Sequence, residues 1–195
     1  MPVMSRIEGT FCRSAPWREL ARRVVLPWAL AGEELSGDVL EIGGGSGAMA
    51  EGMARIYPDV RLTTTDLDES MVRSARTRLQ PFKQVNAKIA DVTRLPFADE
   101  SFDVVASFLM LHHVIDWRPA LDEAARVLRP GGLLLGYDLT DTPIARIVHL
   151  VDGSPSRVFT AAALRQGLAE TGFVKIEVTE SYADHLMRFR ARVPG

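Results

Sequence analysis

Four glycines fall within five positions, residues 43–47, directly after the short apolar run Val39–Ile42. Apolar residues at helical spacing follow, at Met49 and Met53. Glycine lets a backbone turn sharply or approach another group closely. One or two glycines would be enough for a tight turn, so four of them favour a loop against which a ligand lies. The stretch therefore predicts a strand, a ligand-binding turn and a helix, which is how many α/β folds begin.

Strand-like and helix-like segments alternate along the rest of the chain. Strands are predicted at residues 39–42, 61–65, 85–90, 102–108 and 133–137, and helices at about 49–57, 69–79, 119–128 and 160–171. Near the end, residues 174–178 and 187–193 alternate between apolar and polar side chains and are close enough in sequence to pair as antiparallel strands. This order predicts a doubly wound, mostly parallel sheet with one antiparallel strand.

The composition is that of a single globular domain. The chain has 195 residues, of which 47% are hydrophobic and 25% are charged. Within this domain we expect an N-terminal helical segment (1–36), a ligand-binding core (37–140) and a C-terminal part (141–195) that ends in the strand pair. The N-terminal segment predicts one or two helices, broken near Pro27 and packed outside the sheet.

Charge and cysteine content exclude several classes of function. The net charge of −2 and the isoelectric point near 6.1 give no basic footprint for nucleic acid. A single cysteine, Cys12, excludes an internal disulfide framework and a cysteine-rich zinc site. The longest apolar run, Val24–Ala31, contains Pro27 and is too short to cross a bilayer. With no signal peptide recognisable at the start, we expect a cytoplasmic protein that acts without nucleic acid or membrane.

Two aspartates mark the ends of the second and third predicted strands. Asp66 lies at about the distance from the glycines that a dinucleotide fingerprint requires, and a carboxylate there accepts hydrogen bonds from both hydroxyls of a ribose. Asp91 ends the next strand, where an adenine amino group is a suitable donor; the alternative is that Asp91 is a turn residue. Asp68 is interpreted as the N-cap of the following helix. The ligand is therefore expected to contain a nucleoside.

An ordered series of motifs resembles the class I S-adenosylmethionine-dependent methyltransferases, in the broad type 11 group that acts on small molecules. The matching stretches, from about residue 36 to 140, are 39–47 (VLEIGGGSG), 65–71 (TDLDESM), 90–92 (ADV) with 95–97 (LPF), 101–105 (SFDVV), 111–114 (LHHV) and 126–133 (RVLRPGGL). One departure is Gly44, where the group commonly has a cysteine. The resemblance implies a seven-stranded sheet of order 3-2-1-4-5-7-6, with the last strand antiparallel and helices on both faces.

The resemblance also implies a cofactor, S-adenosylmethionine, and a set of residues that bind it. These residues are Glu41, Gly43, Gly44, Gly45 and Gly47 for the methionine end, Asp66 for the ribose, Leu67, Asp91 and Val92 for the adenine, and Ser107 and Phe108 near the sulfonium. The implied reaction is an in-line displacement at the sulfonium methyl carbon. For such a reaction a protein mainly supplies alignment and desolvation.

The acceptor side is expected to include one of two adjacent histidines, His112 and His113, as the catalytic candidate. They follow the fourth strand, where a histidine can act as a base or orient the acceptor, because it titrates near neutrality. In the alternative interpretation, one histidine caps the turn and the other packs under the next helix. A small, partly apolar acceptor is expected. The aromatic residues that would line its pocket, unless they belong to the core, are Phe11, Trp17, Trp28 and Tyr137.

Other functions share part of these features. An NAD-dependent oxidoreductase would use the glycine turn and Asp66, but it gives no reason for Asp91 or the terminal strand pair. A non-catalytic S-adenosylmethionine-binding module would need only the cofactor side. No metal site is expected, because Asp116, Asp138 and Asp141 do not combine with the histidines at a ligand spacing. We expect a monomer or homodimer, with the arginine-rich face of the last strand solvated or, alternatively, forming a dimer edge.

Overall fold

The computed structural model describes residues 19–142, 158–181 and 185–195. Its strands are β1 (Asp38–Ile42), β2 (Arg61–Asp66), β3 (Val85–Ile89), β4 (Phe102–Phe108), β5 (Leu128–Leu139), β6 (Val174–Ser181) and β7 (Leu186–Arg192). Its helices are α1 (Leu26–Leu30), α2 (Ala48–Ile56), α3 (Glu69–Leu79), α4 (Arg118–Val127) and α5 (Ala161–Glu170). A π-helical turn, Ala21–Val25, leads into α1, and a 3₁₀ turn, Leu111–His113, follows β4.

The described residues form a seven-stranded sheet of order β3-β2-β1-β4-β5-β7-β6. Strands β1 to β5 pair in parallel, whereas β7 is antiparallel to both of its neighbours, β5 and β6. This confirms the predicted doubly wound architecture, the strand order and the antiparallel last strand. Because β1 to β5 are parallel, their carboxyl ends meet at one edge of the sheet, called the carboxyl edge below.

Helices cover both faces of the sheet. On one face, α4 and α5 pack on the strands through a core that includes Leu40, Ile42, Leu121, Leu134, Leu164 and Phe189. On the other face, α1, α2 and α3 form a second core that includes Leu26, Val39, Met53, Leu62, Ala75 and Leu135. Consecutive residues of a strand enter opposite cores, because side chains alternate along a strand. Such two-sided burial explains why the central strands have nearly continuous apolar sequences.

Two helix ends are capped as the sequence predicts. The Asp68 side chain accepts hydrogen bonds from the backbone N–H groups of Ser70 (2.6 Å) and Met71 (3.4 Å), so it is the N-cap of α3. The Thr160 hydroxyl accepts a bond from Ala163 N–H at 3.1 Å and caps α5. These bonds satisfy donors that the first turn of a helix leaves without a partner.

Strand β5 is longer than predicted, because it begins at Leu128 rather than at residue 133. Phe102 pairs with Leu128 and Val104 with Leu133, so residues 129–132 bulge out of the ladder between β4 and β5. The bulge accommodates a proline, which cannot donate to a ladder. Within the bulge, Gly131 N–H donates to the Pro194 carbonyl at 3.2 Å, and the Gly132 carbonyl accepts a bond from Val193 N–H at 3.0 Å. The sequence of residues 129–132 had indicated only the end of the preceding helix.

The arginine-rich face of β7 is partly solvated, and its guanidinium groups are also paired. Arg188 donates to the Trp28 carbonyl at 3.0 Å, while Arg190 and Arg192 lie 3.1 and 3.5 Å from the carboxylate of Glu33. The Arg190 and Arg192 side chains remain 37% and 39% exposed, so the prediction of a solvated face holds in part, and Glu33 neutralises part of their charge. Because β7 lies between β5 and β6, it is not an edge strand, so the alternative of a dimer edge at β7 is wrong.

The described part of the N-terminal segment is helical as predicted, but the predicted break near Pro27 is wrong. Helical backbone runs without interruption from residue 19 to Leu30, changing from π to α at Leu26, so Pro27 is accommodated in the first turn of α1 directly after the π-helical turn. Phe11 and Trp17 lie outside the described residues. Among the residues that the structure describes, no helix is long and apolar enough to cross a membrane.

Candidate functional site at the carboxyl edge of the sheet

The structure brings the sequence-predicted residues together at the carboxyl edge. The glycine turn follows β1, Asp66 ends β2, and Asp91 comes two residues after the end of β3. Ser107 and Phe108 end β4. In doubly wound sheets, ligands bind beyond this edge, where the strand order reverses. Here that point lies between β1 and β4, because the chain runs outward from β1 through β2 to β3 and then crosses back to β4.

The glycine turn combines one crowded position with one open position. Gly43 (φ +64°) and Gly45 (φ +55°) both have the left-handed backbone that favours glycine. A Cβ at residue 43 would lie 1.9 Å from Cγ of Met110, whereas a Cβ at residue 45 would meet no atom within 4 Å. The turn is therefore packed from below at Gly43 and faces open space at Gly45. Gly47 is the N-cap residue of α2.

Glu41 is a buried acid directly below this turn. Its side chain is 1% exposed, and Oε2 accepts a hydrogen bond from the Thr64 hydroxyl at 2.6 Å. The other carboxyl oxygen, Oε1, is buried and has no hydrogen-bond partner among the described residues. Burial raises the pKa of Glu41 to about 7, the Thr64 bond opposes this rise, and the charge of Asp66 adds to it. A buried acceptor without a donor is costly to keep, which indicates a ligand donor at this position.

Gly44 leaves the space that the Glu41 carboxyl group occupies. A Cβ at residue 44 would lie 2.1 Å from Thr64 Oγ1 and 2.4 Å from Glu41 Oε2. A side chain at this position would therefore displace one of the two hydrogen-bonded groups. The backbone N–H of Gly44 donates to the Thr65 carbonyl at 2.8 Å, which ties the turn to β2.

Asp66 also fastens the turn to β2. Its Oδ2 accepts a hydrogen bond from Gly45 N–H at 2.8 Å, and its Oδ1 accepts one from Asp68 N–H at 2.9 Å. Burial raises the pKa of Asp66 above the ordinary aspartate value, although these backbone bonds act in the opposite direction. The next residue, Leu67, is 41% exposed, which is unusual for a leucine beside a crevice and leaves an apolar surface for a ligand.

Asp91 has the contacts of a turn residue. Its Oδ1 accepts hydrogen bonds from Thr93 N–H (2.9 Å) and from the Thr93 hydroxyl (2.7 Å). Within the described part of the chain, its Oδ2 accepts no hydrogen bond, so the turn role leaves one oxygen for a ligand donor. The neighbouring Val92 is buried, at 5% exposure, and its side chain belongs to the core under α4.

The two residues at the end of β4 enter opposite faces of the sheet. Ser107 is fully buried, and its hydroxyl has no hydrogen-bond partner within the described ranges. The Phe108 ring lies 5.9 Å from the ring of Tyr137, which is itself 5.5 Å from Trp28. Phe108, Tyr137 and Trp28 therefore pack together. Tyr137 is a buried core residue, which is one of the two alternatives that the sequence left open, whereas Trp28 is half-buried and packs against that core.

The two histidines are placed differently by the turn after β4. His112 is buried, and its Nδ1 lies 2.5 Å from Oδ1 of Asp138 on β5. The Asp138 carboxylate also accepts bonds from the backbone N–H groups of His112 (3.3 Å) and Leu139 (2.7 Å). His113 is half-buried, and its ring centroid lies 4.0 Å from that of His112. Asp138 thus fixes both the ring and the backbone of His112.

Three residues that the sequence did not single out complete the site. Thr64 holds Glu41, Met110 fills the space below Gly43, and Arg78 of α3 donates to the carbonyl (2.7 Å) and hydroxyl (3.0 Å) of Ser46 in the turn. Their roles depend on strand register and helix packing, which no local motif encodes. No group of three histidine, cysteine or acidic side chains within the described ranges is arranged to hold a metal ion.

Comparison with known proteins agrees with this geometry. Residues 40–136 match the family model described as a methyltransferase domain. The chain is 36% identical over 152 residues to an O-methyltransferase of Penicillium expansum, covering 73% of this chain and 54% of that protein. It is 34% identical over 128 residues to a ubiquinone/menaquinone biosynthesis C-methyltransferase of Desulfotalea psychrophila, covering 66% of this chain and 50% of that protein. The chain thus spans about half the length of the curated relatives it matches.

A solved structure of similar fold is that of an S-adenosylmethionine-dependent methyltransferase of Thermotoga maritima. It superposes with a TM-score of 0.76 at 21% identity, covering 96% of each chain. This likeness concerns the fold, whereas the family model and the curated relatives concern the sequence. Together with the sheet order and the glycine turn after β1, these matches show that the chain belongs to the methyltransferase-domain family and has the class I S-adenosylmethionine-dependent methyltransferase fold.

Proposed function

We propose that this protein transfers a methyl group from S-adenosylmethionine to a small-molecule acceptor by in-line displacement. The observation that carries the proposal is the buried Oε1 of Glu41, which lacks a donor among the described residues and lies below a glycine turn that faces open space at Gly45. A cofactor with a positively charged amino group and a nucleoside fits this combination. The acidic residues after β2 and β3, Asp66 and Asp91, fit the nucleoside end.

The residues present fit that cofactor along its whole length. We assign its methionine end to Glu41 and the glycine turn, including Gly43, Gly44, Gly45 and Gly47; its ribose to Asp66; its adenine to Leu67, Asp91 and Val92; and the surroundings of its sulfur to Ser107 and Phe108. When bound, the cofactor supplies a methyl group that is activated by a positively charged sulfur. The task of the protein is then to orient the acceptor, hold it in line and exclude water.

The acceptor is proposed to be a small molecule. In support, the relatives include an enzyme named for O-methylation and one named for C-methylation in quinone biosynthesis. The net charge of −2 gives no reason to expect a nucleic acid. A cytoplasmic location, a monomeric or homodimeric state and the division into three parts within one domain belong to the same proposal.

We further propose that the histidine pair faces the acceptor, with His113 as its less buried member. The half-buried His113 ring lies against that of His112, whose ring and backbone are both held by Asp138. In this proposal, the turn that Asp138 fixes orients the His113 imidazole toward the acceptor. A general base is required only for acceptors that lose a proton, and a histidine suits that role near neutral pH.

The test is direct binding measured by calorimetry with S-adenosylmethionine, S-adenosylhomocysteine and NAD. We expect the first two to bind and NAD to bind far more weakly. The dinucleotide-binding sheet has the order 3-2-1-4-5-6, whereas here an antiparallel β7 is inserted between β5 and β6. Binding of NAD alone would refute the proposal. Binding of S-adenosylmethionine without methyl transfer to any acceptor in a panel of phenols, quinols, amines and carboxylic acids would favour the non-catalytic binding module.

A further inference from the structure

The contact between Glu41 and Thr64 gives the two oxygens of one buried carboxyl group different surroundings. Oε2 accepts a hydrogen bond from the Thr64 hydroxyl at 2.6 Å, and Oε1 has no hydrogen-bond partner in the part of the chain that the structure describes. Thr64 is itself 2% exposed, so water does not compete for this bond. One oxygen is therefore fixed by the protein, and the other is left for a donor that the protein does not provide.

Strand register explains why Thr64 and not its neighbour makes this bond. Glu41 of β1 lies directly opposite Thr64 of β2 in the parallel ladder. The next residue, Thr65, is also buried, but its hydroxyl donates to the backbone carbonyl of Glu41 at 3.1 Å and not to the carboxyl group. The two adjacent threonines are thus similar in chemistry and burial and differ in which part of Glu41 they contact.

The glycine at position 44 makes this arrangement sterically possible. A Cβ there would lie 2.4 Å from Oε2 of Glu41 and 2.1 Å from Oγ1 of Thr64. Both atoms belong to side chains and not to the backbone, so a residue larger than glycine would push the two hydrogen-bonded groups apart. Gly44 does not have a positive φ, so an alanine at this position would add no backbone strain.

We propose that Thr64 is a positioning residue for the cofactor, and that a glycine at position 44 leaves the space in which the Thr64 hydroxyl bonds to Glu41. By holding Oε2, Thr64 orients the Glu41 carboxyl group so that Oε1 accepts a hydrogen bond from the α-ammonium group of the ligand. The inference rests on the proposed function. It adds that the site distinguishes adenosyl ligands that carry an α-amino acid from adenosyl ligands that do not. A fixed carboxylate loses less conformational entropy on binding than a mobile one does.

The test compares two ligands and matched threonine variants by calorimetry. S-adenosylhomocysteine carries the amino-acid portion, and 5′-methylthioadenosine lacks it. For Thr64→Val we expect affinity for S-adenosylhomocysteine to fall about ten- to a hundredfold, while affinity for 5′-methylthioadenosine is unchanged. Thr64→Ser keeps the hydroxyl and is expected to keep the wild-type difference in affinity between the two ligands. The control is Thr65→Val, which removes the neighbouring hydroxyl and is expected to keep the wild-type difference.

A second variant and a stability measurement separate positioning from folding. Gly44→Ala keeps the Thr64 hydroxyl but displaces it from Glu41, so we expect the same selective loss of affinity for S-adenosylhomocysteine. This variant provides the test if Thr64→Val does not fold. The melting temperature without ligand is recorded for every variant. An unchanged ratio between the affinities for the two ligands, in a folded Thr64→Val or Gly44→Ala protein, would overturn this inference. It would leave the proposed function intact. If the wild-type protein binds neither ligand, the proposed function fails first, and the inference fails with it.

Discussion

Glu41 is held out of water at the base of the crevice, in a position where its charge is costly. Burial raises the pKa of Glu41 to about 7, so that near neutral pH the carboxyl group exchanges readily between its neutral and ionised forms. A cationic donor beside Oε1 favours the ionised form. Glu41 therefore gives the binding of a ligand that carries an ammonium group a dependence on pH in the physiological range.

We predict that affinity for S-adenosylhomocysteine rises as pH increases from about 5.5 to 8. Below the raised pKa of Glu41, the ligand must displace a proton from the carboxyl group; above it, the carboxylate is already ionised. Calorimetry in buffers of different ionisation enthalpy measures both the affinity and the proton release. Burial also raises the pKa of Asp66 above the ordinary aspartate value, which is a shift of the same sign. Glu41→Gln isolates the effect of Glu41 and should flatten the profile; an equally steep profile in this variant would show that Glu41 is not its source.

Asp66 has two roles that one substitution does not separate. Its carboxylate accepts bonds from Gly45 and Asp68 N–H groups, and it is also the proposed ribose ligand. For Asp66→Ala we predict a loss of cofactor affinity of about 1.5–3 kcal/mol, roughly ten- to a hundredfold. We also predict a lower melting temperature, because the glycine turn loses its tie to β2. Asp66→Asn retains one carbonyl acceptor and should lose less stability, as calorimetric and thermal unfolding would show. Unchanged affinity in a folded variant would remove Asp66 from the binding site.

At the scale of elements, the turn after β4 depends on a contact with β5. Residues Leu111–His113 form a single 3₁₀ turn, too short to hold its shape by its own hydrogen bonds. Asp138 provides the missing constraint by binding both the ring and the backbone of His112. The turn and the end of β5 therefore behave as one unit, although 26 positions separate His112 and Asp138 in sequence.

The two histidines should consequently respond differently to removal. For His113→Ala we predict a fall in turnover of about 10²–10⁴-fold with an acceptor that loses a proton, at nearly unchanged stability and cofactor affinity. For His112→Ala we predict a loss of about 1–3 kcal/mol of unfolding free energy, because Asp138 loses a buried partner. Turnover is measured by product formation and unfolding by chemical denaturation. Full turnover in His113→Ala would transfer the acceptor-side role to another residue.

Gly136 of β5 lies opposite Ser107 of β4 and leaves no room for a side chain. A Cβ there would lie 1.8 Å from the Ser107 carbonyl oxygen of β4, which is a backbone atom and cannot rotate away. We predict that Gly136→Ala costs more than about 3 kcal/mol of unfolding free energy, at the severe end for single substitutions. The matched control is Gly172→Ala, where the added Cβ meets no atom within 4 Å but φ is +95°, so that only backbone strain of about 1–2 kcal/mol is expected. Equal losses in denaturant titrations would contradict this account.

At the scale of the whole molecule, the elements were predictable because local signals agreed with the architecture. Strand β4 and helix α3 have the predicted limits, and the caps at Asp68 and Thr160 are observed. The order of the strands came from the resemblance, since periodicity does not determine which strands are neighbours. The start of β5 was missed because a proline and two glycines end a helix and also form a bulge.

The sequence predicted the site residues that belong to recognisable motifs. It did not predict the residues whose roles depend on strand pairing. Glu41, Asp66 and the glycine turn occupy the carboxyl edge as expected, whereas the roles of Thr64 and Asp138 follow from strand register. The pairing of the arginine face with Glu33 was missed for a related reason. Glu33 and Arg190 are 157 positions apart, and no local pattern indicates that the N-terminal segment folds over β7.

The direction of β7 determines where anything joined after Gly195 would be found. Because β7 is antiparallel to β5, the residues that follow it return to the amino ends of the parallel strands, where Gly131 N–H donates to the Pro194 carbonyl. The seven residue pairs between β5 and β7 separate this point from the crevice by about 20 Å. A fluorophore, an affinity handle or a bead attached there would leave the crevice open to exchange of ligands. This makes Gly195 the natural anchor for immobilised binding measurements.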